Sequence, residues 1–283
     1  MPHPTSTEHR PRAHWSHVWI PIFSAFIWFG TILSMLITWL AQASQNQSIA
    51  YISDVGADIL KPLFVTGCSI TAVTFFLSLA IERYLRHSGR LIPIMRRREK
   101  VFSALAVLGS VLGGAGLILL SVFDTKRHPR IHRVFLLLFM IGVALSAFFT
   151  VLEYRWISKD FQYLRQLRTA YVAKGVIASI LVVLGVAFGI ALFAATDAGA
   201  ILEWTISLGF TFYLLTFYYD LRQAKGVQKG ELTPETMRHQ RRAVAKAGTR
   251  AVAMAGMRVA AMAGTTAVAM AGTAAAQSHD VHV

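Results

Sequence analysis

Four ionisable residues lie where chemistry could be done, each within a few positions of the end of a long apolar run: Asp54, Asp124, His132 and Glu203. A carboxylate beside an imidazole is a minimal acid–base pair. Asp or Glu takes a proton, and histidine returns it or holds a ligand. Asp124, His128 and His132 also follow one another at intervals of four. On one helix they would share a face, and imidazole with carboxylate suits zinc. Pro129 argues against a continuous helix there and fits the first turn of a helix starting at that point. The expectation is a polar cluster at a membrane surface, with no metal and no cofactor. A hydrogen bond from His132 to an acid, tethering two loops, is an intermediate reading. Asp54 and Glu203 have plain structural readings too. Asp54 followed by Gly56 is turn chemistry, and Glu203 at a membrane rim is solvated by headgroup water. The chain contains no glycine-rich phosphate loop, nucleophile elbow or HExxH pattern.

The elements that must position these residues are membrane helices. Of 283 residues, 55% are hydrophobic and 15% charged, whereas soluble domains carry about 25% charge. A crossing needs roughly 20 apolar residues. Six such stretches predict helices over about 19–41, 62–82, 101–123, 131–154, 175–196 and 198–220. The last includes Glu203, an acid at membrane depth and therefore costly. Ala41-Gln42-Ala43 looks like a signal-cleavage site. The preceding run is longer than the 7–15 residues typical of a signal peptide, which makes it a retained first span. The fold class is thus all-α: a polytopic six-transmembrane-helix bundle (19–221), a basic amino terminus (1–18), and a low-complexity tail (222–283) expected to be disordered.

Charge orients the bundle. Of the 28 Lys and Arg, 23 fall on the side holding both termini and five on the other, which predicts cytoplasmic termini. Asn46-Gln47-Ser48 is a glycosylation acceptor pattern in the first loop of the opposite side. The net charge of +14 lies between apolar runs, so anionic lipid headgroups, not nucleic acid, are the expected partner. Arg96, Arg97 and Arg98, with Arg165 and Arg168 in a basic amphipathic stretch, could bind phosphoinositides. The alternative is that these charges only enforce topology. The one cysteine, Cys68, lies in an apolar run and excludes an internal disulfide. Gly109 with Gly113, and Gly185 with Gly189, have the four-residue spacing that permits close helix approach.

The segments Tyr51 to Gly56 (YISDVG) and Phe123 to His132 (FDTKRHPRIH), then Glu203-Trp204 and Tyr219-Asp220-Leu221, occur in order on this six-span plan. In this the chain resembles the Frag/DRAM/Sfk family, which includes the amino-terminal membrane domain of a fungal GPI-anchor remodelling protein. The resemblance covers roughly 21–222 and implies a multi-pass protein of the plasma membrane or endomembranes. It implies roles in phosphoinositide signalling, lipid asymmetry, autophagy or GPI-lipid remodelling. The leading expectation is a non-enzymatic, lipid-associated regulator that binds lipids or membrane-protein partners. The alternatives are an enzyme or enzyme subunit using Asp54, Asp124, His132 and Glu203, and a small transporter. A mid-membrane polar path would mark a transporter, and no span carries a charge at mid-bilayer depth.

Overall fold

The computed structural model describes residues 16–42, 49–91, 97–160, 165–194 and 196–222, with 235–236, 239, 242–243, 246–250 and 254 of the tail. The chain divides into two compact units, Met1–Leu232 and Thr233–Val283. In the second unit the described residues are helical, and most of the low-complexity tail lies outside them.

The first unit is all helix among its described residues. A short 3-10 turn, Ser16–Trp19, leads into α1 (Ile20–Gln42). The four-residue α2 (Ile52–Val55) precedes α3 (Lys61–His87), α4 (Arg97–Val122), α5 (Pro129–Asp160), α6 (Arg165–Ala194) and α7 (Thr196–Arg222). All six long helices are apolar and long enough to cross a membrane. They form a closed ring in which each packs on the next, and α7 returns to α1. One end of the bundle carries the 49–60 and 123–128 connections and is called the loop end. The opposite end carries Ser16 and Arg222 and is called the termini end.

Residue type explains the packing. The centre is aromatic: Phe75 of α3 meets Phe210 and Phe217 of α7 at ring separations of 6.0 and 5.8 Å. Glycine decides the tightest seam, between α4 and α5. A Cβ on Gly142 would lie 2.2 Å from the backbone nitrogen of Gly113, and one on Gly109 would lie 2.7 Å from that of Ser146. Such backbone contact is how helices gain dispersion energy in lipid, where apolar side chains have no preference for protein over acyl chains. Gly185 and Gly189 behave differently. A Cβ on Gly189 meets nothing within 4 Å and one on Gly185 meets the Met140 side chain at 2.6 Å, so the second glycine pair forms no backbone seam.

Five of the long helices run past the limits that charge suggests. α3 continues through Glu82, Arg83 and Arg86, α5 through Glu153 and Arg155, and α6 begins before Lys174. A helix of 26 residues is about 39 Å long, against about 30 Å of hydrocarbon. Some charges of the extra turns pair between helices, Arg83 of α3 with Glu153 of α5 and Lys174 of α6 with Asp220 of α7. α3 ends in a Schellman turn: Gly89 adopts φ 69°, and the Arg90 N–H reaches the Leu85 carbonyl at 3.0 Å.

Candidate functional site

Three features converge on the bundle: a polar layer at the loop end, an ionic layer at the termini end, and an apolar cleft between α5 and α6.

The loop-end layer gathers the four polar residues but gives each its own partner. Tyr51 starts a single helical turn that lies over α7, where Glu203 Oε2 accepts the Ile52 N–H at 2.7 Å. The Trp204 indole donates to the Ala50 carbonyl at 3.0 Å, so α7 holds this segment at two consecutive residues. Asp54 accepts the Thr125 hydroxyl at 2.8 Å, linking the two loops. Asp124 pairs with Lys61 at 2.5 Å and accepts the Arg127 N–H at 2.7 Å. The Lys61 ammonium first, and then the Arg127 N–H, hold the Asp124 carboxyl down at about 2. Burial, reinforced by the Glu203 and Asp54 charges, pushes the Tyr51 phenol up.

His132 makes a different bond from the tether to an acid. Its Nδ1 lies 2.8 Å from the Leu120 carbonyl and 2.9 Å from that of Phe123. Carbonyls only accept, so Nδ1 carries the proton and caps the last turn of α4. The reason is geometric. α5 starts at Pro129, so Asp124 precedes the helix, and His132, in its first turn, faces the end of α4. Among the described residues, no group of three or more His, Cys, Asp or Glu is placed to hold a metal ion. The layer binds helices and loops together, while His132 Nε2 is buried without a hydrogen-bond partner.

The termini-end layer joins four helices through ions. Glu82 Oε1 of α3 accepts Arg86 Nη2 at 2.9 Å and the Tyr154 hydroxyl of α5 at 2.6 Å. Arg83 reaches Glu153 Oε2 at 2.8 Å. Lys174 of α6 pairs with Asp220 of α7, and its ammonium sits 3.7 Å from the centre of the Phe217 ring. Glu82, Arg86, Glu153, Lys174 and Asp220 are all buried. Three buried acids thus meet two buried bases and the partly exposed Arg83, and any of the buried charges alone would be costly. Sequence reasoning singled out none of these charges as a site residue and missed this layer. Two signals were present: Glu82 and Arg86 at helical spacing, and acids and bases at matching distances from the ends of different spans.

The cleft has a volume of about 340 Å³. Its long walls are Leu136 to Ala147 of α5 and Ala178 to Leu192 of α6, with Trp28 and Phe210 behind them. Gly185 and Gly189 widen it, which is where the second glycine pair is spent. Arg133 stands at its loop-end mouth. α5 and α6 are also the spans least buried within the bundle.

Of the basic residues, Arg97 and Arg98 are exposed at the start of α4. Arg165 and Arg168 lie on the backbone of α6. Arg96 and Asn46 lie outside the described residues.

Comparison with known proteins adds the following. A family profile, the Frag1/DRAM/Sfk1/Cwh43P N-terminal domain, matches residues 16–224. The chain is similar to Protein sfk1 of Schizosaccharomyces pombe, 27% identical over 226 residues, covering 78% of this chain and 68% of that protein. It is also similar to Protein SFK1 of Saccharomyces cerevisiae, 26% identical over 171 residues, covering 48% of each chain. The chain thus spans about half the length of the second relative in the matched region. No solved structure matches.

Proposed function

The chain belongs to the Frag1/DRAM/Sfk1/Cwh43P family, and from that premise we propose that it is a non-catalytic, lipid-associated membrane regulator holding a lipid chain between α5 and α6. The cleft carries this reading. It is open along two poorly buried spans and lined almost wholly by apolar side chains. A void bordered by lipid forfeits the dispersion contacts of its lining, and an acyl chain restores them. The loop-end polar residues support the non-catalytic reading, because each is engaged in positioning a loop or a helix end. The excess of Lys and Arg at the termini end supports a cytoplasmic setting for that end, where Arg97 and Arg98 would meet anionic headgroups.

The test is lipid retention. Gly189→Phe adds a ring to the cleft wall at a position where a Cβ meets nothing within 4 Å. Native mass spectrometry of the detergent-purified full chain is expected to show retained phospholipid in the parent protein and loss of it in the variant, at unchanged thermal stability. Equal retention in both rejects the cleft as the lipid site.

A further inference from the structure

We propose that the cleft is a site for a phospholipid with a net negative headgroup, selected by Arg133 at its mouth with Arg130 beside it; this rests on the lipid-holding role proposed above. An apolar groove inside a bilayer has no intrinsic preference among acyl chains, because lipid tails are as apolar as its lining. Selectivity must come from the polar end of the ligand.

Among its lining residues the groove meets a charge in one place, at Arg133. It runs along α5 from Arg133 to Ala147, 14 residues or about 21 Å at the helical rise. One leaflet of hydrocarbon is about 15 Å deep, so a chain from the leaflet at the loop end fits lengthwise. Its headgroup then lies level with Arg133. Met140 and Ala144 on one wall, with Val182, Gly185 and Gly189 on the other, continue the path inward.

The charge at this mouth is available. Lys61 and Lys126 of the same end are committed to Asp124 and Asp58. Arg130 and Arg133 are exposed, and no ion pair engages either among the described residues. They are three positions apart on α5 and share a face. A guanidinium offers paired donors that match two phosphate oxygens. A single arginine would accept the phosphate of any phospholipid. Two arginines and no exposed carboxylate lining the groove favour a headgroup that keeps a net negative charge.

The experiment places the full chain in nanodiscs doped with phosphatidylserine or phosphatidylcholine carrying a photoreactive acyl chain. Cross-linked peptides are mapped by mass spectrometry. The expected result is labelling of α5 and α6, with phosphatidylserine favoured, and a loss of about fivefold in that preference for each of Arg130→Gln and Arg133→Gln. Phosphatidylglycerol is expected to behave as phosphatidylserine does, because charge and not the serine group is read. Both variants keep the apolar groove, so phosphatidylcholine labelling is expected to persist in them. Labelling of α5 and α6 with equal preference in parent and variants overturns the headgroup assignment and leaves the lipid cleft standing. Absence of labelling there in the parent overturns the lipid cleft itself. A second copy of the chain seated on this face, seen as cross-links between copies in place of lipid adducts, overturns both. Thermal stability within a degree of the parent confirms that the variants are folded.

Discussion

Asp220→Asn is the perturbation that most directly tests the ionic layer. The side chains of Lys174 and Asp220 are 1% and 3% exposed, so neither is relieved by water when its partner is lost. In the variant the ammonium faces a neutral amide and keeps the Phe217 and Tyr154 rings, 3.7 and 5.9 Å from its nitrogen, with the Glu82 charge farther off. Removing one member of a buried ion pair costs about 3–5 kcal/mol. A desolvated cation over an aromatic face retains up to about 2 kcal/mol, which places the loss near the lower end, about 3 kcal/mol. For a bundle of this size that corresponds to a fall of about 6–12 °C in the melting temperature. The double variant Lys174→Met with Asp220→Leu removes both charges, and is expected within about 1 kcal/mol of the parent or above it. The assay is thermal unfolding of detergent-purified protein followed by size-exclusion fluorescence, at one heating rate for all variants. Equal losses in the single and double variants would refute the reasoning, since they would show that volume and not unpaired charge is what the site responds to.

Three further outcomes follow from named contacts. Gly142→Leu drives a side chain into the Gly113 backbone and is expected to separate α4 from α5 at a cost of about 3 kcal/mol or more, read as reduced folded yield. Leu at Gly189, in open space, is expected to be neutral in the same assay. Asp124→Asn should destabilise the protein at pH 7 but not at pH 2. The folded carboxyl is held at about 2, below its unfolded value near 3.9. Its contribution is therefore present above pH 4 and lost as pH falls toward 2, and parent and variant melting curves should converge over that window. Glu203→Ala leaves the Ile52 N–H buried without its acceptor and is expected to cost about 1–3 kcal/mol and to loosen residues 49–58 toward proteases. Glu203→Gln keeps an acceptor oxygen and should stay close to the parent.

Much of the architecture was legible before any coordinates. Apolar length alone defines six crossings, because a backbone in hydrocarbon must satisfy its own hydrogen bonds and only a helix of about 20 residues does so. Pro129 announces the start of α5, since its ring fits a first turn and nowhere later. Gly109 and Gly113 announce a close seam, and the order of the short loop motifs points to the family. The sequence also places Asp54, Asp124, His132 and Glu203 at one end of the bundle, because each is only a few residues from a span boundary. Which atoms they bind was decided by tertiary structure. His132 faces two α4 carbonyls and not an acid, because the rotation of α5 about its axis is set by packing along its whole length. The same holds at the other end. Glu82, Glu153, Lys174 and Asp220 read as boundary charges in one dimension, since a lone charge is expelled from lipid. Only when the six helices close into a ring do opposite charges from four of them meet, and the helices can then run on through them. The cleft is the complementary case: Gly185 and Gly189 have the spacing of a packing motif, yet their use depends on whether a neighbour arrives, and at Gly189 none does.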